Sequence, residues 1–145
     1  MSPSDKQVWQ WLDQISKPQP KLNGNAICPW ISTYRNNIMV VKSDTPAVVI
    51  ENFAVFNQTF ALEAVVIYGF NMNYDKQYAF IDKLNKRYKK RDVFLLGMRP
   101  DSEEPPLPLE YNYKRPLIIA QKLSTLKMAR KQTAKNTDYY THYNN

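Results

Sequence analysis

The sequence has few of the residue types that common catalytic and binding motifs require. Its 145 residues include one Cys, one His and three Gly. A structural zinc site takes four Cys or His ligands, so the chain has too few of these residues to form such a site. Phosphate-binding loops of the Walker or dinucleotide type need several glycines close together, and Gly24, Gly69 and Gly97 lie far apart in the chain. We therefore expect neither a metal nor a cofactor.

The composition is otherwise that of an ordinary globular protein. Hydrophobic residues make up 43% of the chain and charged residues 23%, which excludes general disorder. Cys28 has no partner for an internal disulfide, which suits a reducing compartment. The start of the chain lacks the basic-then-apolar order of a signal peptide, and the longest apolar runs are only strand-sized. We expect a cytoplasmic protein without a membrane span, in the host cell cytoplasm if the protein is viral.

Short apolar runs typical of strands alternate along the chain with segments whose apolar residues recur at helical spacing. Strands are predicted over 37–42, 62–68, 92–96 and 117–120, where β-branched and other apolar residues are concentrated. Helices are predicted over 5–16, 46–57, 74–90 and 124–135, the last capped by Ser124, with a short helix that starts at Pro29. Alternating strands and helices need crossover connections, which implies a partly parallel sheet. The predicted fold is a single α/β domain, a two- or three-layer sandwich of about four strands in a mixed sheet and about four helices.

Two segments fall outside this alternation. Residues 99–115 are rich in proline and have no periodicity, which predicts a long loop within a domain that spans residues 1–135. Residues 136–145 form a polar, tyrosine-rich tail that we expect to be ordered only if something holds it.

Positive charge is concentrated in the second half of the chain. Residues 1–82 contain 6 Lys+Arg and 7 Asp+Glu, a net charge of −1, whereas residues 83–145 contain 14 and 6, a net charge of +8. Two groups supply most of the excess: Lys83, Lys86, Arg87, Lys89, Lys90 and Arg91, then Lys114, Arg115, Lys122, Lys127, Arg130, Lys131 and Lys135. These side chains either are the solvated faces of two surface helices or form a basic patch for an acidic protein surface or nucleic acid.

Cys28 is the candidate catalytic nucleophile. It precedes Pro29, a residue suited to the first position of a helix, and a helix N-terminus stabilises a thiolate. The only His, His142, lies in the tail, so a Cys–His pair would require the tail to fold back. The alternative is that Cys28 is a small buried hydrophobic side chain.

The segment Ala26-Ile-Cys-Pro-Trp-Ile31 resembles two protein families. One is an uncharacterised bacterial family with a Leu-Cys-Pro-Phe-Ala signature after its first helix. The chain is more similar to small uncharacterised proteins of T4-like phages, especially those of marine cyanobacteria, which have a Cys-Pro-aromatic motif followed by a strand. The end of the chain, Arg115 to Gln121, Leu126 to Lys131 and Thr137 to Tyr140, also resembles theirs. This resemblance implies an α/β fold and a phage-like origin, with no reaction attached.

The chain departs from the bacterial family after the third strand. That family has His-Pro-Asp there, and this chain has Arg99-Pro-Asp101, so the obvious base or metal ligand near Cys28 is missing. What remains is Cys28, Arg99, Asp101 and Arg115. This set is better suited to binding an anion than to proton transfer, because an Arg fork binds carboxylate or phosphate bidentately and does not act as a base. Alternatively, Arg99 and Asp101 tether the long loop through a surface ion pair.

Three functions are compatible with these features. The first is a small phage-like accessory protein, not an enzyme, that binds an acidic partner through its basic C-terminal half. The second is a thiol-dependent enzyme or small-anion-binding protein centred on Cys28. The third is a structural virion subunit whose tail and aromatic surface pack against neighbours. We prefer the first, because few residues of the chain are suited to catalysis.

Overall fold

Five α-helices and four β-strands make up the part of the chain that the computed structural model describes, residues 3–17, 30–57, 61–98, 113 and 115–136. The helices are α1 (Pro3–Ser16), α2 (Trp30–Tyr34), α3 (Pro46–Phe56), α4 (Tyr74–Tyr88) and α5 (Leu123–Asn136). The strands are β1 (Ile38–Lys42), β2 (Ala64–Tyr68), β3 (Val93–Met98) and β4 (Leu117–Lys122). Short 3₁₀ turns, Arg35–Asn37 and Lys89–Arg91, directly follow α2 and α4.

The four strands form one mixed sheet in the order β1-β2-β4-β3. β1 and β2 are parallel, and β4 is antiparallel to both of its neighbours, so β3 runs in the same direction as β1 and β2. We call the end of the sheet where β1, β2 and β3 finish the carboxyl end, and the opposite end the amino end. The register aligns one residue of each strand at the carboxyl end: Lys42, Tyr68, Leu117 and Met98.

Helices cover both faces of the sheet, because successive strand residues point to opposite sides. On one face, α1 and α2 pack on a core of Val8, Trp11, Leu12, Ile15, Ile31, Ile38, Ala64, Val66, Tyr68, Leu117 and Ile119. On the other face, α3 and α4 pack on Ile50, Phe53, Val65, Ile67, Phe70, Ile81, Leu84, Tyr88, Val93, Leu95, Ile118 and Ala120. All five residues of β2 are buried, as expected for a strand covered on both sides. The predicted α/β fold with a mixed, partly parallel sheet is confirmed, with three layers.

The start of α5 differs from the prediction. The helix begins at Leu123, so Ser124 lies inside the first turn and is not its cap. The backbone N–H of Leu123 donates to the Asp92 carbonyl over 3.0 Å. The backbone N–H of Ser124 (2.7 Å) and its hydroxyl both donate to the Asp92 carboxylate. Asp92, the residue before β3, therefore caps α5 from outside the helix, because the register places β4's last residue beside β3's first.

Helix α4 packs closely on β3 because Gly97 has no side chain. A Cβ at this position would lie 2.4 Å from Cδ1 of Ile81 and 2.5 Å from Nε2 of Gln77. The buried Gln77 side chain occupies this space and donates from Nε2 to the Leu117 carbonyl over 3.3 Å. The contact therefore joins α4 to both β3 and β4.

Asn85 of α4 covers part of one side of β3, a strand that among the described residues pairs only with β4. Its Nδ2 donates to the Leu95 carbonyl over 3.1 Å, and its Oδ1 accepts from the Leu95 N–H over 2.7 Å. Leu95 is 1% exposed, so both backbone polar groups of a buried residue obtain their partners from one side chain.

We expect Asn85→Ala to lower the free energy of unfolding by about 1–3 kcal/mol, because it leaves the Leu95 N–H and carbonyl without these partners. Urea denaturation followed by circular dichroism measures the change. Asn71→Ala is the matched control, since Asn71 is exposed. Equal loss of stability in the two variants would show that the Asn85 hydrogen bonds contribute nothing.

Candidate functional site

A pocket of about 240 Å³ opens at the carboxyl end of the sheet. Its lining comes from α1, from the ends of β1 and β2, and from the segment before β4: Gln7, Lys42, Tyr68, Gly69, Phe70, Tyr113, Arg115 and Pro116. Ligand sites of open α/β sheets lie at the carboxyl ends of the strands, where the connecting segments diverge. The position of this pocket follows that rule.

Helix α1 is joined to the pocket wall by a hydrogen bond from the Tyr68 hydroxyl to the Asp5 carboxylate. The Tyr68 side chain is buried against α1, so its position in the wall is fixed by packing as well as by this bond. The bond places the N-terminal part of α1, which includes Gln7, beside the end of β2.

Lys42 and Gly69 meet at the base of the pocket. Gly69 has φ +87°, a conformation that side-chain-bearing residues rarely adopt, and a Cβ there would lie 2.7 Å from Cγ of Lys42. The aliphatic part of Lys42 therefore packs over the Gly69 backbone. The N–H of Ser43 donates to the Tyr68 carbonyl over 2.9 Å, which keeps the two strand ends together beyond the sheet.

Tyr113 and Arg115 form the wall contributed by the segment before β4. The Tyr113 ring packs on Trp11 of α1, with 5.5 Å between ring centroids. Burial raises the pKa of Tyr113 above its ordinary value of 10.0, and the positive charge of Arg115 partly offsets this rise. Neither Lys42 nor Arg115 forms an ion pair with another of the described residues. The pocket therefore has two cations without a carboxylate partner in that part of the chain.

The basic residues predicted on α4 are exposed near the amino end of the sheet. Lys83, Lys86, Arg87 and Lys90 all have exposed side chains. Lys86 pairs with Asp82 one turn earlier over 3.1 Å, an exposed contact that neutralises little charge. The Arg87 guanidinium lies 5.5 Å from the centroid of the Tyr88 ring.

Helix α5, which contains the second group of basic residues, begins close to the end of the first group. Lys127 and Lys131 are exposed, while Arg130 and Lys135 lie in the helix with side chains outside the described set. Asp92 follows the 3₁₀ turn Lys89–Arg91 directly and caps α5, so the first turn of α5 starts beside that 3₁₀ turn at the amino end of the sheet. We define the basic surface as the exposed residues of both: Lys83, Lys86, Arg87, Lys89, Lys90, Arg91, Lys127 and Lys131.

The candidate sites at Cys28, Arg99 and Asp101 lie outside the described residues, so the thiol site and the predicted four-residue anion set stay predictions. Arg115, the fourth member of that set, lines the pocket. Sequence reasoning missed Gln7 and Lys42 as pocket residues, because they lie far apart in the chain. The signal that could have found Lys42 is its position as the last residue of a strand in a partly parallel sheet.

Metal-binding clusters and membrane-spanning helices are both absent from the described ranges. There, no group of three or more His, Cys, Asp and Glu side chains is arranged to hold a metal ion. No helix in those ranges is both long and apolar enough to cross a membrane.

We expect Arg115→Gln to raise the pKa of Tyr113 further, because it removes the positive charge that offsets burial. The raised pKa belongs to the folded state, so the contribution of Tyr113 to stability is complete below pH 10.0 and is lost as the pH rises through the folded-state pKa. NMR titration of isotope-labelled tyrosine measures the pKa, and Tyr113→Phe assigns the signal. An unchanged or lower pKa in Arg115→Gln would show that the two groups do not interact.

We expect Asp92→Ala to destabilise the protein and Asp92→Asn to do so much less. Alanine removes the cap of α5, worth about 1 kcal/mol, and takes up the left-handed backbone of residue 92 (φ 62°) at a cost of about 1–2 kcal/mol. Asparagine can still accept a hydrogen bond from the Ser124 N–H and tolerates a positive φ. Urea denaturation compares the two, and equal destabilisation would contradict the capping role of residue 92.

Protein-family models, curated proteins and solved structures all give no match to this chain. The case for function therefore rests on the pocket and the basic surface.

Proposed function

We propose that the protein is a small accessory protein, of the phage type that the sequence resemblance implies, which binds an acidic partner through the basic surface. The partner is an acidic protein or a nucleic acid, whose shared chemistry is a high density of negative charge. The observation that supports this best is the capping of α5 by Asp92, which brings the start of α5 to the end of the α4 cluster, although more than thirty residues of sequence separate the two groups of cations.

The charge of the basic surface is largely uncompensated. Of its eight residues, only Lys86 forms an ion pair with another described residue. Such a concentration of cations repels itself and is relieved by a polyanion, which gains affinity by releasing its own condensed counterions.

The elements that bear these cations are held in fixed positions. Helix α4 is attached to β3 and β4 through Gln77 and Asn85, and the first turn of α5 is attached to Asp92. A surface whose backbone is already ordered loses less conformational entropy on binding than a disordered basic segment does. This order supports the proposal that the exposed cations act as a binding surface.

The test compares two variants that remove the same charge from different places. Lys90→Gln with Lys127→Gln removes two cations from the basic surface. Lys6→Gln with Lys76→Gln removes two exposed cations from elsewhere, Lys76 being in the first turn of the same helix α4. Fluorescence anisotropy measures binding to a short DNA duplex and, separately, to polyglutamate, over about 50–200 mM salt.

We expect the wild-type protein to bind at least one polyanion with an affinity that falls steeply with salt. The Lys90 and Lys127 variant should lower the slope of log affinity against log salt for DNA by about 2, because each of the two lysines neutralises one phosphate. The Lys6 and Lys76 variant should leave the slope nearly unchanged. Preference for DNA or for polyglutamate identifies the class of partner. Absence of binding to both, or equal weakening in both variants, would refute the proposal.

A further inference from the structure

The pocket at the carboxyl end of the sheet has the features of a site for a small anion. It lies at the other end of the sheet from the basic surface, so it is independent of the acidic partner proposed above. Lys42 reaches it from the end of β1 and Arg115 from the segment before β4. Both residues are exposed, and neither forms an ion pair with a carboxylate among the described residues. The carboxylate that lies at the pocket wall, that of Asp5, accepts a hydrogen bond from the Tyr68 hydroxyl.

The two cations can contribute different kinds of contact to a bound anion. The Arg115 guanidinium is a planar fork that donates two parallel hydrogen bonds to a carboxylate or phosphate. The Lys42 ammonium is a compact charge on a flexible stem, and that stem is packed over Gly69. Gln7, whose side-chain amide can donate to an anion oxygen, lines the same pocket from α1.

The aromatic residues around these groups are held by packing and hydrogen bonding. Tyr68 is buried and hydrogen-bonded to Asp5, and Tyr113 packs on Trp11. Phe70, also in the lining, is buried in the core on the opposite face of the sheet. A pocket with ordered walls does not have to be assembled when the ligand arrives, which reduces the entropic cost of binding.

The size of the pocket limits the ligand. A volume of about 240 Å³ is below the usual range for sites that enclose drug-sized molecules, about 300–1,000 Å³. It is sufficient for a compact oxyanion with a small organic group. The apolar surface of Phe70, Pro116 and the Tyr113 ring suits such a group.

We propose that this pocket binds a small dianion, a phosphate group or a short dicarboxylate, whose oxygens are held by Arg115 and Lys42 and by the amide of Gln7. This site shares Arg115 with the anion set predicted from sequence and differs from it in every other residue.

The experiment titrates the full chain with inorganic phosphate and, separately, with succinate by isothermal titration calorimetry. Sodium chloride keeps the ionic strength constant, and a pH of about 8 keeps phosphate dianionic. Two pocket variants, Arg115→Gln and Lys42→Gln, are compared with Arg91→Gln, which removes an exposed cation from the basic surface. Arg115→Lys separates the loss of the fork from the loss of the charge.

We expect saturable binding of at least one of the two dianions, weakened tenfold or more by Arg115→Gln or Lys42→Gln and unchanged by Arg91→Gln. Arg115→Lys should bind with intermediate affinity. Binding of phosphate alone identifies a phosphorylated ligand, and binding of succinate alone identifies a dicarboxylate. Absence of saturable binding for both, or an equal loss of affinity in Arg91→Gln, would overturn the proposal. The pocket and the basic surface are tested with different ligands and different variants, so failure here is distinguishable from failure of the basic surface to bind a polyanion.

Discussion

The reversed direction of β4 determines where both candidate sites lie. β4 fills the position between β2 and β3, and its first five residues are buried. Because it runs opposite to its neighbours, the segment before it brings Arg115 to the ends of β1 and β2. The segment after it brings α5 to Asp92 at the other end of the sheet. A parallel β4 would place Arg115 among the cations of the basic surface and leave Lys42 as the single charged residue of the pocket lining.

The cations of α4 and those of α5 are not equivalent evidence for a partner. Helix α4 has Asp75 in its first turn and Lys86 and Arg87 in its last, an arrangement that stabilises the helix by itself because it complements the helix dipole. These cations therefore have a structural role whether or not a partner binds. Lys127 lies in the second turn of α5, nearer the positive end of that helix, where a cation brings no such benefit. The argument for an acidic partner depends more on Lys127 and Lys131 than on α4.

The elements of the fold and a mixed, partly parallel sheet could be predicted from the sequence, but the strand order and the direction of β4 could not. Local sequence patterns identify strand β2 and helix α1. Strand β2 is a run of β-branched residues at Ala64–Tyr68, and the apolar residues of α1 recur at the spacing of a helix face that packs on the core. The direction of β4 depends on long-range pairing and leaves no local pattern. For the same reason Ser124 resembled a cap, although the carboxylate that caps α5 belongs to Asp92, 32 residues earlier. The pocket was hidden because Gln7, Lys42 and Arg115 are adjacent only in the folded chain.

The absence of a side chain at Gly97 has a consequence for how this sequence can diverge. Ile81 and Gln77 already occupy the volume in which a Cβ would stand, and Gln77 is also hydrogen-bonded to β4. Replacement of Gly97 by a larger residue therefore displaces the ends of the Ile81 and Gln77 side chains, and a smaller residue at position 81 or 77 relieves this crowding. Related sequences should show these three positions changing together, as a correlated set that spans one helix and one strand.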